Sequence, residues 1–321
     1  MSARELLALL AVSTVWGLHL VVIKSTVGEV PPIFYAALRM SLVAVLMAAF
    51  LRWRPGQMLK LLAAGLCLGG LNYAFMFTGI RHATASSSAI AVELYAPFAT
   101  ILSVLFLKEK VGWRRTLGIA LAFAGVAIIA LGRSAGGAGP GVGFGVGLVA
   151  IAALTEAAGA ILVTRTQGLK PHELLAWYAL FGSLSLWAAT GVLETGQLAA
   201  LKESNTLLVG GAVVYSAVLA SIFSHTLYYW LLQRLPVSQV APSALLTTLL
   251  AIVFSIIFLG DRLSWRFAIG GVMALTGVGI VLLRTPKGRI IEPGAPEPIV
   301  GPLVVQSEAP PEDEAAKPEQ A

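Results

Sequence analysis

The segment LKEKVGWRRTLGIALAFAGVAIIAL at residues 107–131 recurs without gaps as LGDRLSWRFAIGGVMALTGVGIVLL at residues 259–283. The two copies are 152 residues apart, and nine of the 25 aligned positions are identical. One further position aligns two acids, Glu109 and Asp261. A weaker match at the same offset precedes each copy. This repeat indicates that the chain consists of two related halves.

The composition is typical of a membrane protein. Of the 321 residues, 57% are hydrophobic and 12% are charged, whereas a soluble domain carries about 25% charged residues. A helix needs roughly 17 to 25 apolar residues to cross the hydrocarbon core. Ten blocks meet that length: residues 6–26, 32–51, 61–80, 83–107, 114–132, 142–164, 173–193, 207–232, 237–259 and 266–283. Because barrel strands would alternate polar and apolar residues, we predict an all-α integral membrane protein with ten transmembrane helices.

The repeat divides these spans into two sets of five. We expect a first five-helix repeat at residues 1–135, a second at residues 136–285, and a disordered, Pro/Glu-rich cytoplasmic tail at residues 286–321. An odd number of spans per half means that the second half enters the membrane from the opposite side. Inverted repeats of this kind are characteristic of alternating-access carriers, which bind their substrate between the halves near the membrane midplane.

The distribution of basic residues predicts the orientation. If the N-terminus is cytoplasmic, fourteen Lys and Arg residues of the connections lie on that side and six on the other. The positive-inside rule therefore places both termini in the cytoplasm of a bacterial-type inner membrane. The first apolar block is too long for a signal peptide, so we interpret it as the first span.

Other functional classes find little support in the sequence. The net charge of +6 comes from basic residues between the apolar blocks, so no nucleic-acid partner is predicted. The single cysteine, Cys67, permits neither a disulfide framework nor a cysteine metal site. The glycine-rich run from Gly132 lacks the GxxxxGK[ST] pattern and is interpreted as a connector. No HExxH or GxSxG motif is present, so we predict no enzyme, no metal and no cofactor.

Several of these features together resemble the EamA family of the drug/metabolite transporter superfamily. They are Trp16-Gly17 followed by Lys24, Pro97-Phe98 in the fourth block, and the two repeated junctions at residues 107–131 and 259–283. The resemblance covers residues 4–285 and implies a carrier of small metabolites in a lipid bilayer, compatible with a homodimer. The chain departs from the family pattern at Asp261, where Glu is more usual, and at Leu249, which aligns with Pro97.

Polar residues deep in the apolar blocks are the candidates for substrate binding or coupling. A charged group at the bilayer centre costs about 2.5 to 3.5 kcal/mol on insertion scales, so it normally faces the interior of the helix bundle. The candidates are Glu93, Glu156, His19, His225, Asn72, Tyr95, Tyr178, Tyr228, Tyr229 and Trp16. Two structural alternatives remain open. Either carboxylate could neutralise Arg39 or a histidine, and each histidine could be a hydrogen-bonded packing residue.

Local spacing favours some of these candidates. Pro97, four residues after Glu93, predicts a kink near that carboxylate. Glu156 lies among small residues at helical spacing, which would permit close packing or leave space for a ligand. His225 shares one side of its block with Tyr228 and Tyr229, which suggests a polar and aromatic wall of a cavity.

The remaining features are interpreted as scaffold. Two faces of small residues, one at Gly118, Ala122 and Gly125 and its repeat at Gly270, Ala274 and Gly277, predict tight scaffold or dimer contacts. Lys24 is expected to extend to the membrane surface. Glu109 and Asp261 are expected to cap or pair within short turns.

The leading hypothesis is a secondary carrier that moves a small polar metabolite, an amino acid or a related compound, by alternating access. Export and proton coupling are expected, and uptake stays open. Efflux of drugs or organic cations is the alternative within transport. A membrane-embedded scaffold or channel is the alternative from another class.

Overall fold

The computed structural model describes residues 2–108, 111–131, 141–166, 168–235, 237–240 and 242–283. Within those ranges every regular element is a helix. The predicted disordered tail at residues 286–321, the connector from Gly132 and the turn residue Glu109 lie outside them.

Ten long helices account for most of the described chain. They are α1 Ala3–Glu29, α2 Pro32–Leu46, α3 Met58–His82, α4 Ala85–Leu107, α5 Trp113–Leu131, α6 Val142–Val163, α7 Pro171–Leu193, α8 Thr206–Leu232, α9 Pro242–Leu259 and α10 Trp265–Leu283. Short helices lie at Ala48–Phe50, Gln197–Glu203 and Val237–Val240. Eight of the long helices have the length and apolarity to cross a membrane, whereas α2 and α9 are shorter apolar helices. The prediction of an all-helical, multi-pass membrane protein is confirmed.

The helices pack in pairs that correspond between the halves. α1 packs on α8 and α9, while α6 packs on α3 and α4. α2 packs on α8, while α7 packs on α3. Three further pairs join helices that occupy the same position in their respective halves. They are α2 with α7, α4 with α9 and α5 with α10. Each helix of the first half has a counterpart five helices later in the chain, as α1 has α6. When every helix is replaced by its counterpart, the same set of pairings results.

Two helices contain π-helical segments, in which a backbone N–H bonds to the carbonyl five residues earlier instead of four. In α3 the segment is Leu66–Leu71, and in α8 it is Tyr215–Phe223. Adding the repeat offset of 152 to 66–71 gives 218–223, which lies within the second segment. π segments are rare and concentrate at functional sites. Both halves therefore carry the same irregularity at the same position.

α4 is interrupted near its middle. Its α-helical parts are Ala85–Val92 and Tyr95–Leu107, with Glu93 and Leu94 between them. Pro97 has no N–H for the carbonyl of the residue four positions before it, which is Glu93, and its ring crowds the same carbonyl. The regular α-helix is thus interrupted beside Glu93, where Pro97 predicts an irregularity, and α9 stays continuous where Leu249 replaces that proline.

The two faces of small residues pack against each other. A Cβ atom on Gly118 would lie 2.8 Å from the carbonyl oxygen of Gly277, and one on Gly270 would lie 2.6 Å from that of Gly125. Such distances mean that the backbones of α5 and α10 touch directly, as small residues permit between membrane helices. The scaffold interpretation of these faces is correct, and they are not available as dimer contacts.

Candidate substrate site

The candidate residues predicted from the sequence come together where helices of the two halves meet. Tyr178 on α7 lies within electrostatic range of Arg39 on α2 and of Glu156 on α6. Tyr95 and Glu93, both on α4, lie within range of Glu156. One region therefore gathers both carboxylates, the buried arginine and two tyrosines from four helices.

Glu93 is held by the opposite half of the protein. It is buried at the interruption of α4, and its Oε1 accepts a 2.5 Å hydrogen bond from the hydroxyl of Thr248 on α9. The contact joins α4 of the first half to α9 of the second. A hydroxyl partner leaves the carboxylate without a compensating positive charge.

Glu156 has an amide partner. Asn72 on α3 donates from Nδ2 to the backbone carbonyl of Ala152 at 2.9 Å and to Oε2 of Glu156 at 3.4 Å. Glu156 is half-buried. Asn72 therefore positions this carboxylate without neutralising it.

The structural ion-pair alternative is not what the structure shows. In the described part of the chain, ion pairs involve only Glu173, which contacts Arg54 at 2.5 Å and Arg52 at 4.0 Å. Neither Glu93 nor Glu156 pairs with Arg39 or with a histidine. Within the described residues, both carboxylates therefore have neutral hydrogen-bond partners and no ion pair.

Arg39 is fastened to the π segment of α8. Its Nε donates to the carbonyl of Ser216 at 3.3 Å, and its Nη2 donates to the hydroxyl of Ser221 at 2.7 Å. Its guanidinium lies 4.2 Å from the ring centre of Tyr73, a cation–π contact. Ser216 and Ser221 are five residues apart, and the Ser221 hydroxyl also donates to the Ser216 carbonyl. The π geometry is what brings these two serines to the same side of α8.

The two histidines bind the same segment of α8. His19 Nε2 lies 3.0 Å from the Ser216 hydroxyl, and His225 Nδ1 lies 2.7 Å from the Ser221 carbonyl. The packing alternative for the histidines is consistent with these bonds. Both rings nevertheless lie within electrostatic range of Arg39 and therefore border the same region.

Aromatic rings cluster around His225, as its spacing from Tyr228 and Tyr229 suggests, and that they line a cavity stays a prediction. The ring of Trp16 meets that of His225 edge to face at 5.4 Å and that of Tyr228 at 5.5 Å. Trp16 is oriented by a 2.9 Å hydrogen bond from its indole N–H to the carbonyl of Ala220. Tyr229 continues the row, with its ring 6.2 Å from that of Tyr228.

Two of the neutral residues that hold these groups, Thr248 and Ser216, were not predicted from the sequence, whereas Ser221 is expected on the same side of its helix as His225. Thr248 follows Thr247 directly, and Ser216 is one of several hydroxyl residues in its helix, so the sequence did not distinguish either of them from their neighbours. The one available signal was the spacing of five between the two serines, which suits a π segment and not an ordinary α-helix.

Two residues assigned to the scaffold cap helix ends. Lys24 donates from Nζ to the carbonyls of Ile80, Arg81 and Ala83 at 2.9, 2.9 and 2.6 Å, so it caps the C-terminus of α3 instead of extending freely to the surface. Asp261 accepts from the backbone N–H and the hydroxyl of Ser86 at 3.1 and 2.7 Å and from Ser255. The predicted capping role is thus seen for Asp261, although the capped helix is α4 of the other half.

Comparison with known proteins identifies the family. The EamA-like transporter family matches residues 3–131 and 143–283. A probable amino-acid metabolite efflux pump of Escherichia coli (strain K12) is 29% identical over 291 residues, 87% of this chain and 95% of that protein. A probable terminal-alkyne amino-acid exporter of Streptantibioticus cattleyicolor is 26% identical over 223 residues, 68% of this chain and 70% of that protein. A crystal structure 17% identical in sequence shares the fold, with a TM-score of 0.57 over 88% of this chain and 98% of its own.

The two family matches together cover most of the sequence, and they contain every site residue described above and every long helix except for the first residue of α6. The chain therefore belongs to the EamA-like transporter family.

Proposed function

We propose that this chain is a secondary carrier that exports an amino acid or a related small polar metabolite across a bacterial inner membrane by alternating access. The observation that carries the proposal is the buried polar region between the halves. There Glu93, Glu156 and Arg39 are held by hydrogen bonds to neutral groups of neighbouring helices and have no ion-pair partners among the described residues. Two relatives whose names describe amino-acid metabolite efflux and amino-acid export support the cargo and the direction.

The architecture we propose is ten spans in two inverted halves, residues 1–135 and 136–285, with both termini cytoplasmic. The exchange of helix pairings between the halves supports the repeat, as do the π segments that coincide at the offset of 152. α2 and α9 pack along full-length helices of the other half, which supports their crossing the membrane as well.

Alternating access is supported by a difference between the halves. α3 packs on α1 and α2 of its own half, whereas within the described residues α8 has no comparable packing on α6 and α7. Two related halves in unequal conformations are what alternating access requires, because exchanging those conformations would open the opposite side. Contacts between the halves, such as that from Thr248 to Glu93, would then form and break in each cycle.

Proton coupling is proposed for Glu93 and Glu156. Each carboxylate is bonded to a neutral group, Thr248 or Asn72, so a proton could neutralise it without breaking an ion pair. Intramembrane carboxylates commonly serve as proton relays in transporters.

Efflux of organic cations is the second candidate. It is favoured by the wall of Trp16, Tyr228 and Tyr229 near these carboxylates, since aromatic rings attract cations.

Purified protein in liposomes tests the proposal. Vesicles loaded with one unlabelled amino acid receive the same labelled amino acid outside, and the panel runs through the standard L-amino acids and several organic cations. Saturable counterflow of an amino acid is expected. Counterflow of the organic cations alone would favour an organic-cation efflux carrier. Leakage that rises linearly with concentration and does not saturate would indicate a channel. No flux of any solute would contradict transport of these amino acids and cations.

A further inference from the structure

Arg39 has more hydrogen-bonding capacity than the protein uses. Its side chain is 2% exposed, among the most buried in the described chain. A guanidinium has five N–H donors, and the structure directs one from Nε to Ser216 and one from Nη2 to Ser221. Nη1 has no hydrogen-bond partner among the described residues. The group thus presents an edge with unused donors inside the membrane part of the protein.

The charge of Arg39 is also uncompensated. No carboxylate of the described chain forms an ion pair with it, and its close neighbours are serines, the Tyr73 ring and the two histidines. Neutral dipoles and an aromatic face offset only part of the cost of a buried cation, and an unpaired buried charge is strongly destabilising. An arrangement of this kind suits an anionic group that arrives from outside.

The carboxylate of Glu156 on α6 is held by the residue of α3 that precedes Tyr73. The consecutive residues Asn72 and Tyr73 contact different partners, Asn72 bonding to Glu156 and Tyr73 stacking on Arg39. Tyr178 lies within electrostatic range of both Arg39 and Glu156. One region between the halves therefore presents a guanidinium and a carboxylate, each positioned by a neutral neighbour and neither neutralised by the other.

We propose that Arg39 binds the carboxylate of the transported substrate, while Glu156 receives its ammonium group, so that the substrate class is zwitterionic α-amino acids. This rests on the proposed function and assigns a substrate role to a residue that the sequence suggested only as a counter-ion. The planar guanidinium presents paired donors that match the two oxygens of a carboxylate.

The charges also distinguish this substrate class from others. An organic cation would bring a second positive charge beside Arg39, and a phosphate dianion would bring negative charge close to Glu93 and Glu156. A zwitterion satisfies both signs at once. The aromatic wall of Trp16 and Tyr228 would then contact the amino-acid side chain.

A purely structural role for Arg39, tying α2 to α8, predicts a different outcome from a substrate role. Losing a tether weakens binding of every ligand alike. Losing a carboxylate-binding group weakens binding of amino acids but not of the matching amino-acid amides, which keep the ammonium and the side chain and lack the negative charge.

The experiment measures binding to purified protein by thermal stabilisation, using the standard L-amino acids and their amides as probes. In the native protein we expect at least one amino acid to bind about 10- to 100-fold more tightly than its amide, the range for a hydrogen bond to a charged group. Arg39→Gln should bring that ratio close to one, whereas Arg39→Lys should leave an intermediate ratio. Arg115→Gln is the control. It removes a guanidinium on α5 that bonds to Thr100 on α4, and it should leave the ratio of amino-acid to amide binding unchanged.

The outcomes separate this inference from the carrier proposal. Equal binding of amino acid and amide to the native protein overturns the role of Arg39 and leaves the carrier intact. An unchanged ratio in Arg39→Gln does the same. Transport of a solute without a carboxylate, with no amino acid bound, overturns the substrate class, whereas absence of all flux counts against the carrier itself. If Arg39→Gln does not fold, Ser221→Ala is the variant to measure. It removes only the hydrogen bond from Arg39 Nη2 to the Ser221 hydroxyl, and it should lower the ratio of amino-acid to amide binding several-fold.

Discussion

Thr248 on α9 donates a 2.5 Å hydrogen bond to Glu93 on α4, so a carboxylate of the first half is held by a hydroxyl of the second. Both side chains are buried, at 3% and 9% exposure. The bond exists only while α4 and α9 keep their present relative position. It is therefore a side-chain contact between the two halves.

Removing that hydroxyl is the first prediction. Thr248→Val keeps the shape of the side chain but leaves a buried carboxylate without its partner, which should cost about 1 to 3 kcal/mol of unfolding free energy. The measurement is thermal unfolding in detergent together with counterflow. Thr247→Val is the matched control, because the Thr247 hydroxyl bonds only within its own helix, to the carbonyl of Ser243. Equal behaviour of the two variants would contradict a special role for Thr248.

The second prediction concerns proton coupling. Glu93→Gln and Glu156→Gln mimic the protonated carboxylate permanently, so at least one variant should lose the acceleration of export by an inwardly directed proton gradient. Counterflow, which needs no net proton movement, should continue in Glu93→Gln, whereas it should weaken in Glu156→Gln, which also removes the proposed acceptor of the substrate's ammonium group. The measurement is efflux from proteoliposomes with and without the gradient. Full gradient dependence in both variants would remove these carboxylates as the coupling groups.

The third prediction tests the direct contact of α5 with α10. A methyl group in Gly277→Ala would overlap the backbone of Ala122 and Gly118, and overpacking of this kind costs roughly 1 to 3 kcal/mol. Gly279→Ala is the control on the same helix, because its methyl group would meet open space. We expect thermal unfolding at a lower temperature for Gly277→Ala only. A neutral result there would show that the helices separate easily.

The fourth prediction concerns the cap on α4. Asp261→Ala removes the acceptor for the backbone N–H of Ser86, and loss of such a cap costs about 1 kcal/mol. Hydrogen exchange should rise at the first turn of α4, which begins at Ala85. Glu203→Ala, which removes an exposed carboxylate of a connecting helix, should leave that exchange unchanged. Unaltered exchange in Asp261→Ala would mean that Ser86 finds another partner.

Much of the helical framework could be predicted from the sequence. The block at 142–164 corresponds to the helix Val142–Val163, and the block at 173–193 corresponds to Pro171–Leu193. These agreements have a simple origin. A membrane span must be long, continuous and apolar, because unsatisfied backbone groups are not tolerated in hydrocarbon, and such a run is visible in sequence without any knowledge of its neighbours.

The irregular parts of the helices were only partly visible. Pro97 marked the interruption of α4 because proline lacks the required N–H. The π segments Leu66–Leu71 and Tyr215–Phe223 contain no residue type that demands that backbone, and the only signal was the spacing of five between Ser216 and Ser221 in the second of them. Their common position became apparent only when the offset of 152 was applied to the helices themselves.

The depth of Glu93, Glu156 and Arg39 in apolar blocks followed from residue order, because polarity within a span is a local property of the chain. Their partners depend on contacts between helices far apart in sequence, and residue order does not encode those distances. Folding could have paired Arg39 with either carboxylate. It instead bonded Glu93 to Thr248 and Arg39 to Ser216 and Ser221, which leaves opposite charges separate within one buried region.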